Sequence, residues 1–430
     1  MPHICISNIG PLKNIDIDLN KINVFIGPQG SGKSTIAKIV SFCQWLEKDC
    51  VKRQMTSHID QSFMQKQLID YHNMEGYLSE SSGFRYTGSA LSIKLDNGSL
   101  TVDTLEDFGT FPLSKNSYIP AERNIISVPG IFSTKMPANY ILDFIDEWQS
   151  VRDKYQGDIE VEILDLNQTY RYDPAGKRDL ITDKSTGNSF QLSQVASGLQ
   201  SVTPLCVMTD YLTDWIYSHD EDRSAEQRRE IREAVIARFM AQRTGKNHLL
   251  ELAKDNADIK NAVNIIADTL QLGMESGTFD KISEDVEQYR ELMETFSHAT
   301  FSNIVIEEPE LNLFPTTQVR LLYYLLSRIN HTRDNLLITT HSPYILYALN
   351  NCMLASLAAE ADGETVKSIV DISQSSWIEP KKVSVWELAD GTIRNGTTIQ
   401  DERGLIRDNY FDRIMKNVMV DFRNLLNFID

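Results

Sequence analysis

Residues 27–34 read Gly-Pro-Gln-Gly-Ser-Gly-Lys-Ser and fit the spacing G-x-x-x-x-G-K-[ST]. These residue types suit one kind of chemistry, the holding of nucleotide phosphates. Gly27, Gly30 and Gly32 let the backbone take conformations that a Cβ hinders. The loop N–H groups then converge on phosphate oxygens, helped by the positive end of the helix that follows. Lys33 supplies a point charge for the β- and γ-phosphates, and Ser34 a hydroxyl for Mg²⁺. Pro28, Gln29, Ser31 and Thr35 complete the expected nucleotide-binding stretch. A strand must lead into such a loop and a helix must leave it. Asn23 to Ile26 is a short apolar run of strand character, and TIAKIVSFCQWLEK after the loop has helical spacing.

A second constellation lies far downstream. Ile304-Val305-Ile306-Glu307-Glu308-Pro309 is an apolar strand ending in two carboxylates. An acid at a strand end holds Mg²⁺ through its water shell, and a neighbouring one orients or deprotonates an attacking water. Glu307 fits the first role and Glu308 the second. A further strand, Leu336-Leu337-Ile338-Thr339-Thr340, ends in His341, where an imidazole contacts a γ-phosphate and senses its loss. Between the two constellations, Ala196-Ser197-Gly198-Leu199-Gln200 opens an apolar helix.

The order of these four pieces resembles that of the ABC-class ATPases, over nearly the whole chain. More closely it is similar to the soluble branch that includes the structural-maintenance-of-chromosomes and overcoming-lysogenization-defect ATPases, in the wording IDIDLNKINVFIGPQGSGKST, IEEPELNLFP and TTHSPYIL. The resemblance implies an α/β fold, a P-loop ABC-type nucleotide-binding domain of mixed β-sheets flanked by helices, with ATP and Mg²⁺ as cofactors. It implies Lys33, Glu308 and His341 as catalytic residues and Ser34 and Glu307 as the metal's ligands. Two copies would close head to tail, so that Ser197, Gly198 and Gln200 act on ATP held by the other copy. Residues 310–315 would cross that interface, and Glu122 and Arg123 stand where the family places its Gln-containing loop. The chain departs from the family pattern at Leu199, where Gly is usual, at Gln29, where Asn is usual, and at Glu307, where Asp is usual.

The same resemblance extends to prokaryotic anti-phage defence ATPases of the Septu, PARIS and retron-associated types, which pair such a subunit with a separate nuclease or toxin. It implies a sensor or regulator of an effector protein. The alternative is a DNA-repair or recombination ATPase that grips DNA directly, and a third class is a scaffold in which nucleotide is structural. Roughly ninety residues follow His341, without a paired-carboxylate nuclease constellation. No long heptad arm is present either.

Composition bounds these readings. The 430 residues carry a net charge of −18, which argues against a surface coated for nucleic acid. DNA binding by the chain alone is therefore expected to be weak. With 41% hydrophobic and 24% charged residues, no run long enough to span a membrane and no signal peptide, a cytoplasmic protein is expected. Five cysteines without metal-ligand spacing are expected as thiols.

Three regions are expected. Residues 1–215 form the first part of the nucleotide domain, 216–299 a charged helical insertion, and 300–430 the second part. Alternating apolar residues predict a hairpin over Ile4, Ile6, Ile15, Ile17 and Leu19. Helical spacing runs over residues 35–78, and two strands are predicted around Asp96-Asn97-Gly98. Further strands are expected at residues 117–120, 159–166, 301–306, 335–339, 366–372 and 383–388. Helices are expected at 141–155 and 317–329, and an amphipathic one at 407–428, with Ile414, Val418, Phe422 and Leu425 on one side.

Overall fold

The computed structural model describes residues 1–109, 111–219 and 299–429, together with Val235, Ile236, Phe239 and Leu292. The expected helical insertion therefore lies almost entirely outside the described residues. The chain opens with an antiparallel hairpin, β1 (His3–Ile9) and β2 (Leu12–Asp18), in which Ile4 faces Ile17 and Ile6 faces Ile15. Period-two alternation thus sends one set of side chains inward. β3 (Ile22–Ile26) is buried at all five positions, the continuous apolar run of a strand covered on both faces. The phosphate-loop residues follow, and then α1 (Lys33–Arg53).

β4 (Gly83–Thr87), β5 (Leu91–Asp96) and β6 (Ser99–Thr104) extend the opening hairpin, and β7 (Ser114–Ile119) crosses to the far side of the sheet. After α2 (Tyr140–Arg152), the strands β8 (Val161–Glu162), β9 (Gln168–Asp173), β10 (Arg178–Asp183) and β11 (Ser189–Gln191) make a separate four-stranded antiparallel sheet. Then come α3 (Ser197–Asp210), β12 (Phe301–Glu307), α4 (Pro315–Ile329), β13 (Asn335–Thr339), α5 (Pro343–Ile369), β14 (Val383–Ala389), β15 (Thr392–Ile393) and α6 (Tyr410–Leu426).

The large sheet has eleven strands in the order β6-β5-β4-β1-β2-β15-β14-β3-β13-β12-β7. Its stretch β14-β3-β13-β12-β7 is parallel throughout. Strands from residues 1–215 and from 300–430 interleave there, so neither part makes this sheet alone. Side chains alternate between two cores. Ile22, Val24 and Ile26 meet Trp148, Leu205, Leu325 and Leu349 of α2, α3, α4 and α5. Phe25 meets Ile36 and Val40 of α1 and the isoleucines of the antiparallel strands. The fold is thus α/β, mixed β-sheets flanked by helices, as expected from the sequence. All five cysteines are free, and no helix among the described residues is long and apolar enough to cross a membrane.

Four expectations need correction. Residues 366–372 are not a strand: α5 runs to Ile369. The helix breaks at Asp362 and restarts there, because the Asp362 carboxylate accepts hydrogen bonds from the Thr365 N–H and hydroxyl. That cap overrides the β-branched character of the following residues. The two strands expected around Asp96-Asn97-Gly98 are there as β5 and β6, paired across that turn, but the stretch from Gly83 holds a third strand, β4, before them. The extra reversal is set by a residue remote in sequence: the buried Glu47 carboxylate of α1 accepts from the N–H groups of Ala90 and Leu91 at 2.7 and 3.2 Å. Helix α1 stops at Arg53, capped by left-handed Gln54, and only short helical turns follow before residue 78. Of residues 159–166, just Val161–Glu162 pairs, because Leu164 and Asn167 take positive φ and turn the chain.

Candidate active site

The parallel order of the central strands explains why residues hundreds of positions apart meet. β13 lies between β3 and β12, so three carboxyl ends open side by side. In open α/β sheets this edge is where ligands bind. The ends are stitched together: the Thr340 N–H donates to the Phe25 C=O at 3.0 Å, and the Glu308 N–H to the Thr339 C=O at 2.8 Å. The phosphate loop leaves β3, Glu307 and Glu308 end β12, and His341 follows β13.

Within the loop, Lys33 is buried and donates to the Gly27 and Pro28 carbonyls at 3.1 and 3.0 Å. Burial pushes its ammonium down to about 8, with the charges of Glu308, Glu310 and Glu307 acting the other way. Pro28, Gln29 and Gly30 are exposed, and the Ser31 hydroxyl is buried without a partner. Thr35 is buried at the base of α1. Gly32 shows why a glycine is needed. Its φ is +100°, and a Cβ there would lie 2.3 Å from Leu12 Cδ2 in the core. Gly32→Ala is therefore expected to cost about 1–3 kcal/mol from backbone strain, plus the clash, and to lower the thermal midpoint. Gly30→Ala has positive φ but open space around it, and is expected to cost less. Calorimetry of the pair checks this; equal losses would mean the Leu12 contact is immaterial.

The two adjacent carboxylates sit in opposite environments. Burial raises the Glu307 carboxyl above its usual range, with Ser34 and Tyr118 hydroxyls and the Lys38 charge opposing. Its Oε1 is buried and has no hydrogen-bond partner. A carboxylate and a hydroxyl facing one another, with a spare buried oxygen, fit a hard divalent cation. Glu307 and Ser34 would hold it, and such a cation would supply positive charge against that of a bound nucleotide's phosphates. Glu308 is held below the usual carboxylate range, first by its hydrogen bond with His341, with the charges of His341, Lys33 and Arg123 adding to this. His341 Nε2 lies 3.3 Å from Glu308 Oε1. Glu308 also takes a left-handed φ of +43°, which turns its side chain out of the strand line. Two neighbouring acids pushed apart in this way suit two different tasks.

Residues not singled out for such roles by sequence support these groups. Glu310, expected in an interface-crossing loop, is turned inward: its carboxylate accepts from the Thr340 hydroxyl at 2.8 Å and the His341 N–H at 2.5 Å. It fixes the backbone that carries His341. Arg123 is fully buried. It donates to the carbonyls of Pro120, Ser201, Glu307, Glu308 and Pro309. Glu122 is exposed, and its charge reaches Glu307, Lys38 and Tyr140. A Pro-Ala-Glu-Arg turn after a strand carries no motif that announces these contacts.

Ser197 and Gly198, at the start of α3, form no hydrogen bond with residues 27–35 among the described residues. Ser197 is exposed. Gly198 packs against the Asn312 carbonyl, which a Cβ would approach to 3.1 Å. Leu199 is half-buried against the main core. The Gln200 amide is committed within the chain, donating to the Val195 C=O at 2.9 Å and accepting from the Ser127 hydroxyl at 3.0 Å.

No family model matches the chain, and no curated protein does. Solved structures similar to it include the SMC head domain from Thermotoga maritima, at 10% identity over 80% of this chain and 90% of that one, with a TM-score of 0.36. Another is the Smc head domain with an extended coiled coil bound to the C-terminal domain of ScpA, from Pyrococcus furiosus, at 9% identity over 98% and 100%, TM-score 0.36. A third is the recombination mediator protein RecF of the RecFOR pathway, at 8% identity over 91% and 96%, TM-score 0.29.

Proposed function

We propose that the chain is an ABC-type ATPase that binds and hydrolyses ATP with Mg²⁺, its site completed by Ser197 and Gly198 of a second copy. One observation carries this reading: the phosphate loop, the Glu307-Glu308 pair and His341 converge at three adjacent parallel strand ends. Lys33 and the loop N–H groups bind the phosphates. Glu307 and Ser34 would hold the cation, and Glu308 takes the proton of the attacking water. His341 holds Glu308 ionised and aimed. The exposed Ser197 is left free to meet a second copy's nucleotide.

We also propose that this ATPase is cytoplasmic and regulates a separate effector, a nuclease or toxin, in anti-phage defence. The support is a phosphate-loop site beside which the described residues show no second, effector-type constellation. Among the described residues the single three-ligand cluster is His3, Cys5 and Asp16, on the antiparallel strands. If the chain instead grips DNA by itself, its affinity for duplex will fall steeply with salt.

The shared site is tested by complementation. Lys33→Ala and Ser197→Arg chains, each expected to be inactive alone, are co-expressed and purified through two tags. Mixed assemblies keep one intact site and should recover hydrolysis. No recovery would rule out a site shared between copies.

A pH effect follows from Lys33. In the free site its ammonium loses its proton near pH 8, and a phosphate beside it favours the charged form and raises that value. ATP binding should therefore take up a proton above about pH 8 and weaken as pH rises further. Below pH 7 Lys33 should contribute no uptake. Calorimetric titration in two buffers of different ionisation enthalpy reads the proton count, and Lys33→Met should abolish the difference.

A further inference from the structure

Among the described residues, the hydrogen bonds and ion pairs that tie helix α6 to the body all lie at its first turn. Asn409 caps it by accepting from the N–H groups of Phe411 and Asp412. The Tyr347 hydroxyl donates to Asp412 at 2.6 Å, and Arg413 pairs with the buried Glu387. Not one residue of α6 is buried. Met415 is 61% exposed, Phe422 54% and Leu425 64%, and Ile414, Val418, Met419 and Leu426 are similarly open.

These residues are not scattered. Phe411, Met415, Val418, Phe422 and Leu425 follow one another at spacings of four, three, four and three. That is the 3.5-residue period of a helix that packs along another helix of the same kind. Ile414, Met419 and Leu426 flank the seam on both sides. The opposite side carries Arg413, Lys416, Asn417, Arg423 and Asn424, with Val420 the one exception.

We infer that α6 is a self-association element, buried against α6 of one or more further copies of this chain without any need for nucleotide. Charge favours a like partner. The chain carries −18 overall, whereas α6 holds three basic and two acidic residues, Arg413, Lys416 and Arg423 against Asp412 and Asp421. Its seam can meet a copy of itself without the repulsion the rest of the surface imposes. Area points the same way. A helix of this length is about 25 Å long, and one face of it falls short of the ~800 Å² per partner of a stable interface. Apolar flanks on both sides of the seam let each helix be covered by more than one neighbour, as in a bundle. Such a contact is separate from the ATP-dependent one proposed above.

The test uses the full chain without nucleotide, in the Lys33→Ala background, sized by light scattering. The expected mass is a multiple of the 49.0 kDa chain. Val418→Glu with Phe422→Glu should reduce it to one chain, with the thermal midpoint of the remaining fold unchanged because neither side chain is buried in it. Leu425→Cys should form an interchain disulfide on mild oxidation, and Asn417→Cys, on the polar side, should not. A monomeric parent chain, an unchanged mass in the double variant, or equal cross-linking at both positions would overturn the inference. So would a monomer that instead binds anionic vesicles through α6.

Discussion

Glu308→Gln is expected to slow ATP hydrolysis by about 10²–10⁴-fold, the range over which a positioned proton acceptor contributes, while ATP is still bound. Glutamine keeps the length and shape of the side chain and can still hydrogen-bond His341. What it loses is the ability to take a proton. The environment of Glu308 is arranged for that ability. The His341 hydrogen bond and the charges of His341, Lys33 and Arg123 keep the carboxyl ionised. The positive φ of +43° presents it at the strand end, held by the Glu308 N–H on Thr339 and the Glu308 C=O on Arg123. Glu307, one residue earlier, is buried and lies beside Ser34, so it does not substitute. Single-turnover phosphate release measured beside equilibrium ATP binding separates the two effects. Turnover close to the parent's, with binding intact, would remove Glu308 from the chemistry.

Arg123→Ala is expected to be the most destabilising single change near the site, by about 3–5 kcal/mol, a large part of the 5–15 kcal/mol of a typical domain. All the N–H groups of the guanidinium are spent on backbone carbonyls, at 2.9 to 3.3 Å. Truncation takes a charged donor from each of those carbonyls in a dry interior; Pro120 and Glu308 keep a backbone partner in the Arg123 and Leu311 N–H groups, and each carbonyl left unsatisfied costs about 1–3 kcal/mol before relaxation. Burial lowers the guanidinium to about 10, so it stays charged at neutral pH. The three successive carbonyls of Glu307, Glu308 and Pro309 fix how the acids leave β12, and the Ser201 carbonyl ties them to α3. Arg123→Lys keeps the charge but cannot span these acceptors. It should lose kcat more than ATP affinity, because the phosphate loop is untouched. Denaturant unfolding reads the stability loss, and kinetics of the Lys variant, with guanidinium added back to the Ala variant, read the positioning role. A Lys variant with parental kcat would show that Arg123 only fills space.

Much of the site was legible because its chemistry is local in sequence. The loop from Gly27 to Ser34 carries its glycines, lysine and hydroxyl at fixed spacing, and the apolar strands before Glu307 and His341 announce their own ends. Those strands are short and buried on both faces, so composition alone marked them. The misread segments have two causes. A carboxylate decided the local shape where Asp362 restarted a helix through residues that read as strand and where Glu47 folded back the chain at Ala90 and Leu91; left-handed residues turned the chain at Gln54 after α1 and at Leu164 and Asn167 beside β8.

The amino-acid sequence by itself determined that a phosphate loop, a pair of acids and a histidine exist, and in what order. It determined the amphipathic period of α6 as well. Tertiary structure decided everything that depends on strand order. Placing β13 between β3 and β12 is a long-range choice, and it alone brings His341 to 3.3 Å from Glu308. The opposed states of Glu307 and Glu308 arise from burial and from neighbours on other strands and helices, His341 after β13 first among them for Glu308. Arg123 becomes a strut only once β7, β12 and α3 meet around it. The open seam of α6 shows the same division: spacing gives a helix an apolar face, and only packing decides whether the chain's own core covers it.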